Sequence, residues 1–228
     1  MSKSLSALAV EQIIDRIATG EFQECDALPP EADLAEILGV SRLTMREAVR
    51  VLKDRGVLSV VHGRGTYVAP MSDWTDLATI VEVLGKTTEP RKLGQQLIEI
   101  RRMLEVGACG LAAENRTEDD LVAMRLHLEQ FDLAESLGDI EGALVADIAF
   151  HNAIVEASGN PFLRSIMVAL HSPLMRSRRE TTSIREVRQR ARGHHVAIYK
   201  AIAAGDAAAA KEAMRAHMTQ TREDLELI

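Results

Sequence analysis

Aromatic residues are scarce in this 228-residue chain, at 3% of the total, whereas Ala, Leu, Ile and Met are plentiful. That balance disfavours large β-sheets and favours helices. Cysteine is nearly absent: Cys25 and Cys109 are distant and form no CxxC pair. A disulfide framework is therefore excluded, and both read as reduced thiols of a cytoplasmic protein. No apolar run approaches the roughly 18–20 residues that span a bilayer. The N-terminal MSKSLSALAVEQII lacks the cationic start, long apolar stretch and small-residue cleavage site of a signal peptide. A net charge of −7 argues against a protein that coats nucleic acid indiscriminately.

The charge is unevenly placed. Residues 1–40 carry two basic and eight acidic side chains, while residues 41–70 carry six basic (Arg42, Arg46, Arg50, Lys53, Arg55, Arg64) and two acidic ones. A basic island in an acidic protein is a local footprint for phosphate. Around it the apolar spacing predicts a helix over 5–19, a short helix from Glu31 to Gly39, and a third over 42–55 with Ser41 as N-cap and Gly56 as its stop. Met45, Ala48, Val49 and Leu52 would form the apolar face of that third helix, and Arg42, Arg46 and Arg50 the opposite one. After Gly56 the period changes, and VLSVVHGRGTYVA reads as a two-stranded hairpin with HGRG at its tip. Two helices, a tight turn and a hairpin describe a winged helix-turn-helix, whose second helix enters the major groove.

Residues 71–91 read as a linker or transition with a short helix over 75–84. The remainder reads as helices over 93–114, 118–136, 139–158, 161–179, 184–204 and 206–226. Asp139, Asn160 and Asp206 are N-cap candidates, and Pro161 takes a favoured first position. Short connections imply antiparallel neighbours in a bundle. The predicted fold is mainly α: a winged helix-turn-helix domain followed by an all-α antiparallel bundle.

The segment LPPEADLAEILGVSRLTMREAVRVLKDRGVLSVVHGRGTYV resembles the N-terminal domain of the GntR family of bacterial transcription regulators. RRMLEVGACGLAA (101–113), DIAFHNAIVEASGNPFL (147–163) and HVAIYKAIAAGDAAAAKEAMRAHM (195–218) resemble that family's FadR-type ligand-binding domain, also called FCD. The resemblance implies a DNA-binding domain over 1–70, a linker over 71–91, and a ligand-binding and dimerisation domain over 92–228. It places DNA contacts on Ser41, Arg42, Thr44, Arg46, His62 and Gly63. Arg50 is either a further contact or an ion-pair partner of Asp54 at i+4. Two positions depart from the family's habit: Ala32, where an arginine is common, and Leu43, where a small polar residue is common.

Asp147 and His151 stand four apart on one predicted helix, so both project from one face. The resemblance joins them to His195 and His217 as ligands of a divalent cation. Three imidazoles and a carboxylate suit zinc first, with nickel or another first-row metal as alternatives. His127, His171 and His194 match nothing in the pattern. An open coordination site suits a carboxylate or sugar-acid effector, and Arg101 is a candidate clamp for it, its simpler reading being a salt bridge with Glu105. HSPLMRSRRE (171–180) adds Arg176, Arg178 and Arg179 on one helix, of which some could enter the pocket, and Arg176 is the second candidate.

The function expected is therefore that of a homodimeric, effector-controlled transcription regulator, a repressor rather than an enzyme, bound to a double-stranded operator. A metal-sensing regulator is the alternative. A metal-dependent hydrolase is a further one, opposed by the lack of any HExxH-like general base.

Overall fold

The computed structural model describes residues 4–226, which divide into two compact units between Thr88 and Glu89. In the first, α1 (Leu5–Ala18), α2 (Glu31–Ile37) and α3 (Arg42–Asp54) precede a hairpin of β1 (Leu58–Val61) and β2 (Gly65–Val68). Ser4 and Ser41 cap α1 and α3 by accepting hydrogen bonds from Ala7 N and Thr44 N. Met45, Ala48, Val49 and Leu52 are buried from α3 against Ile13 and Ile14 of α1 and Leu34 of α2. This is a winged helix-turn-helix. Gly56 ends α3 with φ +76°, and a Cβ there would lie 2.5 Å from the carbonyl oxygen of Asp73, so both conformation and space call for glycine.

The hairpin pairs Leu58 with Val68 and Val61 with Gly65, leaving His62, Gly63 and Arg64 as the turn. Its second edge is not open. Val68 O accepts from Cys25 N, and Leu28 N donates to Thr66 O, so residues 25–28 cover β2. Nothing in the local sequence announces this third pairing, since LPP reads only as a turn.

The segment read as a linker is largely folded onto the first unit. After a 3-10 turn at Met71–Asp73, Trp74 is buried and donates its indole N–H to Ala69 O, and α4 (Leu77–Thr87) packs on α1 through Val83. Lys86 reaches Asp15 at 2.5 Å. Asp76 caps α4, accepting from Thr79 N (2.9 Å) and Thr79 Oγ1 (2.5 Å), and those bonds hold its carboxyl below the usual range. Asp76→Ala should destabilise this unit by about 0.5–2 kcal/mol at pH 7. Because the folded pKa is depressed, the contribution is present above the unfolded value near 4 and lost as pH falls through the folded one. Thermal melts of wild type and variant should therefore converge on acidification below about pH 4.

The second unit holds α5 (Pro90–Asn115), α6 (Glu118–Leu137), α7 (Ile140–Ala157), α8 (Pro161–Ala169), α9 (His171–Thr182), α10 (Arg185–Ala204) and α11 (Ala207–Glu226). It is an antiparallel bundle. α5 lies along α11 and also touches α7, α9 and α10, while α6 packs on α7. A reciprocal cap between Thr117 and Asp120 starts α6, and Asp139, Asn160 and Asp206 accept from the first turns of α7, α8 and α11. One predicted helix, 161–179, is two. The break falls at Leu170 because Pro173 has no N–H to donate to the Ala169 carbonyl, and its ring crowds that oxygen.

Candidate functional site

On α3 the apolar face is consumed by the core, which leaves Ser41, Arg42, Arg46 and Arg50 exposed and Thr44 half-buried. Ser41 Oγ and Thr44 Oγ1 are 2.8 Å apart at the helix start, where unsatisfied N–H groups gather. Arg46 Nε lies 3.4 Å from Glu31 Oε2, a loose surface pair beside Ala32. Arg50 makes no ion pair with Asp54 among the described residues, so its guanidinium stands on the exposed side with Arg42. Leu43 is 69% exposed beside them, an apolar contact in the same patch. His62 and Gly63 are exposed at the hairpin tip, and Gly63 adopts φ +74° with open space where a Cβ would lie.

The second group of residues is buried. Asp147 and His151 come from α7, His195 from α10 and His217 from α11, and one nitrogen from each histidine lies within 4.8 Å of the others. Asp147 Oδ1 is 3.4 Å from His195 Nε2 and 3.9 Å from His151 Nε2. Its Oδ2 takes the guanidinium of Arg178 from α9. From α5, Glu105 Oε2 sits 2.5 Å from His151 Nδ1, and its Oε1 accepts from Arg101 Nε at 2.6 Å. Five helices thus meet at one point.

Burial lowers the pKa of all three imidazoles, that of His195 to about 3, so they are neutral at pH 7 with lone pairs available. Burial alone would raise both carboxyls. For Glu105 the guanidinium charges of Arg101 and Arg178 oppose it, and for Asp147 those of Arg178 and Arg101, and both carboxyls lie below the usual carboxylate range. Both ring nitrogens of His151 and His195, and Nδ1 of His217, are buried without an aligned hydrogen bond among the described residues. Unsatisfied buried nitrogens are costly unless something binds them. A donor set of neutral imidazoles and an ionised carboxylate fits a first-row divalent cation.

A cavity of about 40 Å³ adjoins this centre, lined by Arg101, Asp147, Arg178, Thr181, His217 and Gln220 among others. Arg101 therefore reaches the cavity while also making the i+4 pair with Glu105. Arg176 does not line it: its place is on the exposed face of α9, and Arg178 takes the inward position. Two residues along a helix turn a side chain through about 200°. The sequence offers Glu105 only as a salt-bridge partner, and Arg178 only as one of three arginines in 171–180 of which some could enter the pocket.

Comparison with known proteins matches residues 5–68 to the description "Bacterial regulatory proteins, gntR family" and residues 96–220 to "FCD domain". The chain belongs to the GntR family of transcription regulators. This regulator is 36% identical over 215 residues to the HTH-type transcriptional regulator LutR of Bacillus subtilis, covering 92% of its own chain and 95% of that one. It is 31% identical over 159 residues to the galactonate operon transcriptional repressor of Escherichia coli, covering 69% and 68%. A solved structure, Streptococcus agalactiae GntR, superposes with a TM-score of 0.55 at 27% identity, over 96% and 99% of the two chains. The winged helix gives the regulator a DNA-binding domain, and its relatives are regulators rather than enzymes, which sets the hydrolase reading aside. No helix of the regulator is long and apolar enough to cross a membrane among the described residues.

Proposed function

We propose that this regulator, as a homodimer, binds an approximately palindromic operator through α3 and the hairpin tip, and that a small carboxylate held at a divalent metal in the bundle controls that affinity. The observation carrying the second half is the gathering of three buried imidazoles within 4.8 Å of one another, two of them facing Asp147, beside a cavity whose wall includes Arg101 and Arg178. Asp147, His151, His195 and His217 would hold the cation, zinc being the best match to the donors. The cation would supply a positive charge that attracts and orients a carboxylate. Arg178, and Arg101 behind it, offer guanidinium donors from the cavity wall.

The cavity wall narrows the class of effector. Thr181 Oγ1 and Thr221 Oγ1 donate to the carbonyls of Arg178 and His217, so what they have left to offer is lone pairs. Acceptors of that kind suit a ligand with hydroxyl groups as well as a carboxylate. The galactonate operon named for one relative belongs to the same chemical class.

In the reading head, Ser41, Thr44 and the N–H groups at the start of α3 would hold phosphates. Arg42 and Arg46 would read guanine edges, with Arg50 further along and His62 and Gly63 on the flanking backbone. The effector changes operator affinity only to the extent that it favours one placement of the two heads over the other. Repression relieved by ligand is the expected sign.

Fluorescence anisotropy tests this directly. A labelled duplex from upstream of the regulator's own gene should bind at least about a hundredfold more tightly than a scrambled one, with affinity falling as salt rises. Hydroxy acids added to the zinc-loaded protein should release the duplex. Release on chelation alone, with no response to any acid, would instead identify the metal as the signal.

A further inference from the structure

The sequence explains Glu105 as the i+4 partner of Arg101, and a surface helix would need nothing more. Here the pair is not at the surface: Glu105 is 1% exposed and Arg101 only 4%. Arg101 Nε engages Oε1 at 2.6 Å, and Arg178 Nη2 stands 3.6 Å from the same oxygen. The other oxygen, Oε2, is turned to His151 and lies 2.5 Å from Nδ1, off the ideal N–H direction.

The far side of the same ring faces the centre. His151 Nε2 is 3.9 Å from Asp147 Oδ1, the oxygen that His195 Nε2 approaches to 3.4 Å. A carboxylate on one nitrogen and a converging donor set on the other is the arrangement that selects a tautomer. An imidazole whose Nδ1–H is held by an anion presents Nε2 as a lone pair, in fixed orientation and with raised basicity. Arg101 and Arg178 hold the carboxylate in place, with Oε2 turned to accept from the ring.

We propose that Glu105 is a positioning residue of the metal centre, which holds the proton of His151 on Nδ1 and so aims Nε2 at the cation. This rests on the reading of the centre as a metal site. It also reassigns Arg101, whose first task becomes the restraint of Glu105.

The test uses the full chain with ¹⁵N-labelled histidine and zinc as the probe. Long-range ¹H–¹⁵N spectra of the zinc-loaded protein should show His151 protonated at Nδ1. Competition against a chelator should show zinc affinity about 10–100-fold weaker in Glu105→Ala. Glu105→Gln, whose amide oxygen can still accept the hydrogen bond, should lose less, and it carries the test if Glu105→Ala does not fold. A merely structural Glu105 would lower the melting temperature of both variants and leave zinc affinity and the His151 tautomer alone. That result, or His151 protonated at Nε2 in the wild type, overturns the inference. Wild-type protein that takes up no zinc overturns the metal reading itself, and so is distinguished from failure of Glu105 alone.

Discussion

Replacing His195 with glutamine should weaken zinc binding about a hundredfold or more. The zinc affinity of small structural sites, about 10–16 kcal/mol, is shared by four ligands, so each carries roughly 3 kcal/mol. Every one of the four candidate ligands is buried. His195 is the most enclosed of them, at 0% exposure, with the Phe150 ring 4.8 Å away and Asp147 Oδ1 at 3.4 Å. Glutamine preserves much of the volume and leaves no imidazole lone pair, so the measured loss reports coordination more than a cavity. Chelator competition gives the affinity, and a thermal melt of the zinc-free protein shows how far the fold has suffered. A variant that bound zinc like wild type would remove His195 from the set.

The second large effect lies in the other unit. Arg42→Ala with Arg46→Ala should erase most of the preference for the operator over a scrambled duplex. A bidentate arginine–guanine contact discriminates by about 1–3 kcal/mol, so two removed together cost on the order of 10²–10⁴-fold if they act independently. Arg46 contributes the less certain half because it must leave Glu31, although a surface pair at 3.4 Å is worth at most about 1 kcal/mol. Residual binding to any duplex should survive through Arg50, the helix start and the hairpin tip, and retain a shallower salt dependence. Equal losses on operator and scrambled DNA would instead mean that both arginines touch phosphates only.

Much of the architecture was legible because its signals are local. Ser41, the 45/48/49/52 stripe and Gly56 write the limits and the face of α3 within sixteen residues, and the change to β-branched alternation marks the hairpin. The four candidate ligands were found as a set only by resemblance, since nothing in the spacing of Asp147, His151, His195 and His217 says that α7, α10 and α11 meet. What went unread depends on tertiary neighbours. Arg176 and Arg178 look alike in HSPLMRSRRE, and only the packing of α9 decides which is turned inward. Pro173 was visible but was absorbed into a long apolar pattern that ran across it. The cover of β2 by residues 25–28 and the third partner of Glu105 both join parts of the chain that share no local motif.

The pairing of α5 with α11 has a consequence for how the molecule is made. Arg101 and Glu105 leave the ribosome more than a hundred residues before His217, and at about 5–20 residues per second that interval lasts several seconds or more. During it the face of α5 that α11 will cover has no partner, and the nascent bundle can gather Asp147, His151 and then His195 without closing round them. Helix α11 is therefore both the cover of that face and the bearer of the fourth candidate ligand. A chain interrupted before α11 would carry a complete reading head on a bundle whose α5 face is uncovered and whose candidate centre lacks His217.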